Sequence, residues 1–361
     1  MQGKRKHICI VAPLAFLLFG LTVAGILKPD AAYSETERRV LRGFPEVSGE
    51  RLDSGKFMSE FEEYAQDQFP GRELFLRVKA NGMRYLFGQK DNDGLYKAGG
   101  YLSKLEYPMN EARLNRSMTV QQEIYDAYLE NTDCHIYMAL IPDKNFYLAP
   151  EYGYPTMDYG DYVETVKANT SYATYIDLFD SLNLDCYYRT DPHWRQECLL
   201  PAAEVLKRGM NLSGTLQYEV VELPNPFYGA YYSQVGLCVE PDTLRFLTNE
   251  TLENCVVTSF DTGTAKEALL YDMEKAGGRD PYEMFLSGSD ALLVVENPGA
   301  ETDRELVIFR DSFGSSLAPL LVENYSKITL VDLRYMRSEA LEEFVEFQNQ
   351  DVLFLYSTLI Y

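Results

Sequence analysis

The alternation of apolar and helical segments predicts an α/β domain: a parallel sheet with helices on both faces, preceded by an N-terminal transmembrane helix. Three observations carry that prediction. From Leu306 to Tyr356 the chain reads strand, helix, strand, helix, strand, an order that requires parallel strands joined by helical crossovers. The apolar run that starts at His135 and stops at Pro142 suits a strand buried on both faces. Ile8 to about Leu27 carries no charge and follows Lys4, Arg5 and Lys6.

Residues 1–7 are a basic tail. The run 8–27 is long enough to cross the hydrocarbon layer, and its basic flank favours a cytoplasmic N-terminus with the remainder exported. A cleaved signal peptide would be shorter and end on a small-x-small site. Only a weak candidate stands near Ala31–Ala32, so an uncleaved signal anchor in the cell membrane is the preferred reading. Residues 28–60 read as a charged stalk and lead-in, and 61–361 as the main domain. Helical spacing covers Phe57–Tyr64, 73–87 and 110–130, with a turn at Asp91–Gly94. Cys186–Arg189 is a strand candidate. Residues 196–209 form a helix with Pro201 near its start. Residues 210–290, irregular and rich in Tyr, Asn, Pro and Gly with short strand-like pieces such as Cys255–Phe260, read as an insertion or cap. The closing elements are strands at Leu306–Phe309, Ile328–Asp332 and Asp351–Tyr356, with helices at Ser315–Asn324 and Ser338–Gln348.

The formal net charge is −22, which repels phosphates and argues against nucleic-acid binding. Of six cysteines, Cys9 lies in the apolar run and five lie beyond it, so at least one has no intramolecular partner. Cys186 and Cys198 suit either one disulfide in an oxidising compartment or buried free thiols. No GxGxxG follows a strand, and no Walker A loop or haem CxxCH occurs. No cofactor is expected. No metal is expected either, because Asp191 and His193 lack a ligand cluster.

In such sheets reactive groups sit at the carboxyl ends of the strands. Arg310-Asp311-Ser312-Phe313-Gly314 leaves a strand there and enters a helix. A serine at this turn exposes its hydroxyl where backbone N–H groups stabilise a developing oxyanion, and Gly314 permits a sharp turn. Asp311 or Ser312 also suits a plain helix cap. The hydroxyl needs a base. Of the three histidines, His7 precedes the anchor, His135 opens a buried strand, and His193 lies in Thr190-Asp191-Pro192-His193-Trp194 between a strand and a helix. Asp191 is close enough in a turn to hold the imidazole Nδ1–H, as triad logic requires. The same residues also suit a helix N-cap beside a buried tryptophan.

The pairing of Thr190-Asp191-Pro192-His193-Trp194 with Asp311-Ser312-Phe313 resembles the DHHW proteins of Gram-positive bacteria. It is also similar to the SGNH-hydrolase-like, flavodoxin-like domains of alginate O-acetyltransferases. Supporting motifs are Tyr33–Arg38, Asp67–Arg72, Ile141–Lys144, Tyr325–Ile328 and Asp332–Tyr335, so the likeness spans most of the chain beyond the anchor. Ordinary SGNH hydrolases place Gly-Asp-Ser first and Asp-x-x-His last; here that order is permuted, as in the acetyltransferases. The resemblance implies Ser312 as nucleophile, His193 as base and Asp191 as its orienting carboxylate. Pro192 replaces the first histidine of the DHHW name. Arg310 stands where the acetyltransferases have glycine and DHHW proteins often have lysine. Gly314, Arg310, Trp194, Lys144, Asn324 and Arg334 are the candidate substrate or oxyanion contacts.

The expected function is an extracytoplasmic serine enzyme that handles acyl groups on a cell-surface polysaccharide. It is an O-acetyltransferase if a sugar hydroxyl accepts and an esterase if water does. An acyl donor inside the cell would require a membrane-bound partner to pass the group outward. The alternative is a non-catalytic glycan-binding or envelope-assembly protein on the same fold.

Overall fold

The computed structural model describes residues 11, 12, 15, 19–34, 39–214, 217–237, 239–260, 263–288 and 290–359. The chain divides into two compact units: residues up to Asn92 with Ser233–Cys238, and Asp93–Tyr232 with Val239–Tyr361. The boundary expected near 60 falls inside the first unit.

In the first unit the described residues 19–27 are helical. Much of the predicted span 8–27 lies outside the described residues, and among those described no helix is long and apolar enough to cross a membrane. The stretch read as a stalk is folded. It contains α1 (Gly49–Asp53) and leads into α2 (Lys56–Asp67) and α3 (Arg72–Tyr85). Phe44 packs edge-on against Phe61 and Tyr64 of α2, at 6.0 and 5.3 Å between ring centroids. The Arg39 guanidinium beside Asp67 holds that carboxyl down at about 2, and Ala31 and Gln68 exchange two hydrogen bonds of 2.9 Å. These polar links hold the charged lead-in, which has no helical period of its own, against α2.

The second unit is built on an eight-stranded sheet. Its strands in chain order are β1 (His135–Ile141), β2 (Thr174–Asp177), β3 (Val256–Ser259), β4 (Lys266–Ala268), β5 (Leu292–Glu296), β6 (Glu305–Arg310), β7 (Lys327–Val331) and β8 (Asp351–Ser357). The order across the sheet is β4-β3-β5-β7-β6-β8-β1-β2. Strands β7, β6, β8, β1 and β2 run parallel, as expected. The sheet is mixed, however, because β5 pairs antiparallel with β7 and β3 antiparallel with β5 and β4. The expectation of an all-parallel sheet is corrected by the segment read as an insertion: 210–290 contributes β3 and β4 to the edge.

Alternation along the parallel strands builds two cores, since successive side chains face opposite sides. Ile308, Leu330 and Leu353 face Trp194, Leu206 and Leu317. Val307, Phe309, Val331 and Phe354 face Leu114 and Met118 of α4 (Glu111–Ile124) and Tyr162 and Val166 of α6 (Tyr159–Asn169). Between them α5 (Lys144–Tyr152) follows β1, and α7 (Leu200–Gly209) carries Pro201 in its first turn, where the missing N–H costs nothing.

Two local expectations are corrected. Cys186–Arg189 is not a strand: Leu184–Cys186 is a 3₁₀ turn, after which Tyr187 bridges Trp194. The chain doubles back there, so a ladder has no room to extend. The helix expected over 338–348 is a 3₁₀ turn at Ser338–Glu343. Its successors Phe344, Val345 and Phe347 instead pack irregularly on the core.

Candidate active site

The carboxyl end of β6 delivers Ser312 into a tight turn. Asp311, fully buried, ties this turn down. Its carboxylate accepts the Phe313 N–H at 2.9 Å and the Ser357 N–H, at the end of β8, at 2.7 Å. Burial pushes the Asp311 carboxyl up, and those donors pull the other way. A helical turn, Gly314–Leu317, follows and continues as a 3₁₀ segment to Asn324. A methyl group on Gly314 would stand 2.7 Å from Arg310 Cβ, so a side chain there would open the turn.

The opposing residues come from a loop between Cys186 and Arg195. The Arg195 N–H donates to the Cys186 carbonyl at 2.7 Å and the Tyr188 N–H to the His193 carbonyl at 3.1 Å, which leaves Arg189–Pro192 at the tip. That tip is clamped from several sides. Asp242, at the start of a strand Asp242–Thr248 paired with Glu219–Phe227, accepts the Arg189 and Thr190 N–H groups at 2.7 and 2.8 Å and the Thr190 hydroxyl at 2.5 Å. The buried Lys144 ammonium donates to the carbonyls of Tyr188 and Asp191 at 2.7 and 2.8 Å. Burial lowers Lys144 to about 7 against the opposing pull of Asp242, Asp191 and Asp143. Gly229 lies so close that a methyl group on it would overlap Asp191 Cβ at 2.2 Å.

Folding brings the two segments together. His193 Nε2 is 2.7 Å from Ser312 Oγ, and His193 Nδ1 is 2.6 Å from Asp191 Oδ1. Asp191 also accepts the His193 N–H at 3.1 Å and the Ala230 N–H at 2.8 Å. Burial works against its ionisation, but the His193 ring and the two backbone donors outweigh it and hold the carboxyl at about 2. An ionised carboxylate only accepts, so Nδ1 carries the proton of the neutral ring. The Nε2 lone pair then faces the serine hydroxyl. His193 keeps 13% of its side-chain surface exposed while Asp191 keeps 1%, so the solvent-facing end of the chain is the hydroxyl. Among the described residues the Ser312 N–H finds no acceptor and is available to an oxyanion.

The remaining candidates lie elsewhere. Trp194 is buried and donates to Ser316 Oγ at 2.8 Å. Lys144 holds backbone, as described. The Gly314 N–H is already given to the Asp311 carbonyl at 3.1 Å. Arg310 is fully buried between Gly314 and Asp332, and Arg334 is paired with Asp332 at 2.5 Å. The Asn324 amide donates to the Ser213 carbonyl at 2.6 Å, at the far end of the 3₁₀ segment. Each of these six is thus engaged with other groups of the fold rather than hydrogen-bonded to Ser312. His135 pairs with Asp351 at 3.5 Å at the opposite, amino-terminal edge of the sheet. A cleft there is also lined by Arg304 and Lys327, whose charges are taken up by Asp351 and Glu305 at 2.7 Å.

Sequence reasoning missed Tyr282, in a 3₁₀ turn Pro281–Met284. Its ring lies flat on the His193 imidazole, 3.8 Å between centroids and 6° between planes. Its hydroxyl is 2.8 Å from Ser316 Oγ, the same atom that accepts from Trp194. Ala230 and Asp242 were missed as well. All three come from the irregular region 210–290, whose spacing carries no periodic signal.

The profile of the family described as DHHW protein matches residues 163–331. No curated protein matches the chain. A DHHW family protein from Eubacterium siraeum shares the fold with a TM-score of 0.57 and 18% identity, over 74% of this chain and 92% of that one. PatB1 of Bacillus cereus, solved with a sulfonyl adduct, does so with a TM-score of 0.59 and 18% identity, over 73% and 95%. The matched segment 163–331 holds both the Asp-x-His-Trp and the Asp-Ser-Phe residues that meet at the carboxyl edge of the sheet, and over it this chain resembles the DHHW family.

Proposed function

We propose that the chain is a serine acyl-handling enzyme acting on O-acyl groups of a cell-surface polysaccharide, with Ser312, His193 and Asp191 as its catalytic residues. The observation that carries this reading is the continuous hydrogen-bonded chain from carboxylate to imidazole to hydroxyl. A structural cap needs no second acceptor beyond the serine. Supporting it is the fold shared with PatB1, a protein known with a sulfonyl adduct. The resemblance to O-acetyltransferases points to an acetyl group as the cargo and a glycan as the partner.

In the first half-reaction Ser312 Oγ attacks the acyl carbonyl carbon while its proton passes to His193 Nε2. Asp191 stabilises the imidazolium, and the Ser312 N–H meets the oxyanion. Collapse breaks the bond to the donor's leaving oxygen, which takes the proton from Nε2 and departs. In the second half an acceptor hydroxyl gives its proton to Nε2 and attacks the acyl-serine, releasing Ser312 Oγ with that proton. A sugar acceptor makes the protein a transferase and water makes it an esterase. With the run 8–27 as a membrane anchor, the site would face the outside. A membrane-bound partner would then be the source of the acyl group.

The test is hydrolysis of p-nitrophenyl acetate by the purified protein. Wild type is expected to turn over, with Ser312→Ala and His193→Ala reduced by on the order of 10³-fold or more. Equal rates in wild type and Ser312→Ala would remove the nucleophile. Glycan binding indifferent to both substitutions, with no acyl-enzyme by mass spectrometry, would favour a non-catalytic glycan-binding protein.

A further inference from the structure

We infer that α3 of the first unit lies on the surface of an anionic lipid bilayer, as a second membrane contact beside the N-terminal apolar run. Four observations on that unit carry it. At 100° per residue, Leu74, Phe75, Val78, Tyr85 and Leu86 fall within about a third of the helix circumference. All five are exposed, Leu74 at 64%, Val78 at 61% and Leu86 at 79%. This stripe is distinct from the face the unit uses for packing, where Ala80 is buried against Gly236 and Leu76 and Met83 are half-buried. A helix with one packed apolar face needs no second one for folding, and contiguous exposed apolar surface marks an interaction site.

The stripe is edged by cations. Arg77 and Lys79, both exposed, stand one on each side of it. Residues 72–90 hold Arg72, Arg77, Lys79, Arg84 and Lys90 against the single carboxylate Glu73, in a chain of net charge −22. An apolar stripe with basic margins is the pattern of a helix lying in a membrane interface. The cations also argue against a second copy of this chain seated face to face, because a two-fold axis through the stripe would bring Arg77 and Lys79 toward their own equivalents. The position along the chain agrees. The described helix 19–27 exposes Phe19, Val23, Ile26 and Leu27. Near its end a methyl group on Gly25 would stand 3.5 Å from Pro70 Cγ, just before α3 begins. Wherever that apolar helix enters lipid, α3 starts beside it.

The whole chain has one tryptophan, Trp194, and it is buried in the second unit, so a tryptophan added to α3 reports by difference. Full-length Phe75→Trp is mixed with vesicles of equal phosphatidylglycerol and phosphatidylcholine brominated in the acyl chains. Emission of the added tryptophan is expected to shift to the blue and be quenched. In the Arg77→Gln/Lys79→Gln background the quenching should weaken, each cation near such a surface being worth about five-fold in partitioning. Quenching in phosphatidylcholine alone should be weaker too. Unshifted, unquenched emission would overturn the inference. A blue shift without quenching, accompanied by doubled mass in sedimentation, would assign the stripe to a second copy instead. None of these readings depends on catalysis by Ser312.

Discussion

The His193 imidazole is held at three points, by Asp191 at Nδ1, by Ser312 at Nε2 and by the Tyr282 ring on its face. Each restraint has its own consequence. Asp191→Asn keeps the shape but offers Nδ1 a group that can donate, which stabilises the tautomer with the proton on Nε2. The expected result is a kcat loss on the order of 10⁴-fold for p-nitrophenyl acetate, with the fold intact by circular dichroism. Tyr282 gives the ring a fixed plane and an electron-rich face for the imidazolium that forms as the serine loses its proton. Tyr282→Leu should lower kcat by about ten-fold with KM little changed, whereas Tyr282→Phe, which keeps the ring and gives up the Ser316 contact, should retain most of the activity. Steady-state kinetics on the two variants separates the ring from its hydroxyl: equal losses in both would assign the effect to the Ser316 contact instead of the stacked ring. The triad pair was legible because, of three histidines, His7 precedes the apolar run and His135 opens an apolar strand, which leaves His193 two residues after Asp191 in a turn-forming segment. Tyr282 was not legible, because a stacking partner is chosen by the folded path of 210–290 and leaves no spacing in the chain.

The loop 186–195 and the Ser312 turn are elements positioned by others, and buried polar groups do most of that work. Lys144, expected from its motif to touch substrate, instead joins the carbonyls of Tyr188 and Asp191 from beneath. Its ammonium is lowered to about 7 by burial, below the ordinary lysine value of about 10.4. Between those values the unfolded chain holds the proton and the native protein releases it, so stability rises with pH across that window. The slope is about 1.4 kcal/mol per unit. Thermal melts of wild type and Lys144→Met from pH 7 to 9 should show the wild type gaining about 3 °C per unit relative to the variant; parallel curves would mean that Lys144 does not titrate there. The strands β1, β6, β7 and β8 were readable because runs buried on both faces are continuously apolar. β2 and β4 were not, because short edge strands with mixed burial have the same local pattern as loops, whereas the β-branched run Cys255–Phe260 did mark β3. The 186–189 segment looked like a strand for the converse reason: Tyr187 and Tyr188 are buried, but in a loop that reverses.

At the scale of the whole molecule, the permuted order of motifs is reconciled by the sheet. β1 leads into the half that carries Asp191 and His193, and β6 carries Ser312 two strands away with only β8 between them. A distance of 119 residues along the chain thus becomes a 2.7 Å contact. Local pattern predicted the parallel half of that sheet and the residues at its carboxyl edge. It did not predict that β5, β3 and β4 join the sheet antiparallel, since which edge a strand joins is decided by which apolar face is still uncovered. The same limit applies to 28–60, where pairs such as Arg39–Asp67 join residues with no shared period. The most direct test of the catalytic account is covalent capture: intact-mass and peptide analysis after treatment with an aryl sulfonyl fluoride, comparing wild type, His193→Ala and Ser312→Ala. One adduct per chain, mapped to Ser312 in wild type and greatly slowed in His193→Ala, is the predicted result. Labelling at another residue, or at equal rate in all three proteins, would contradict it.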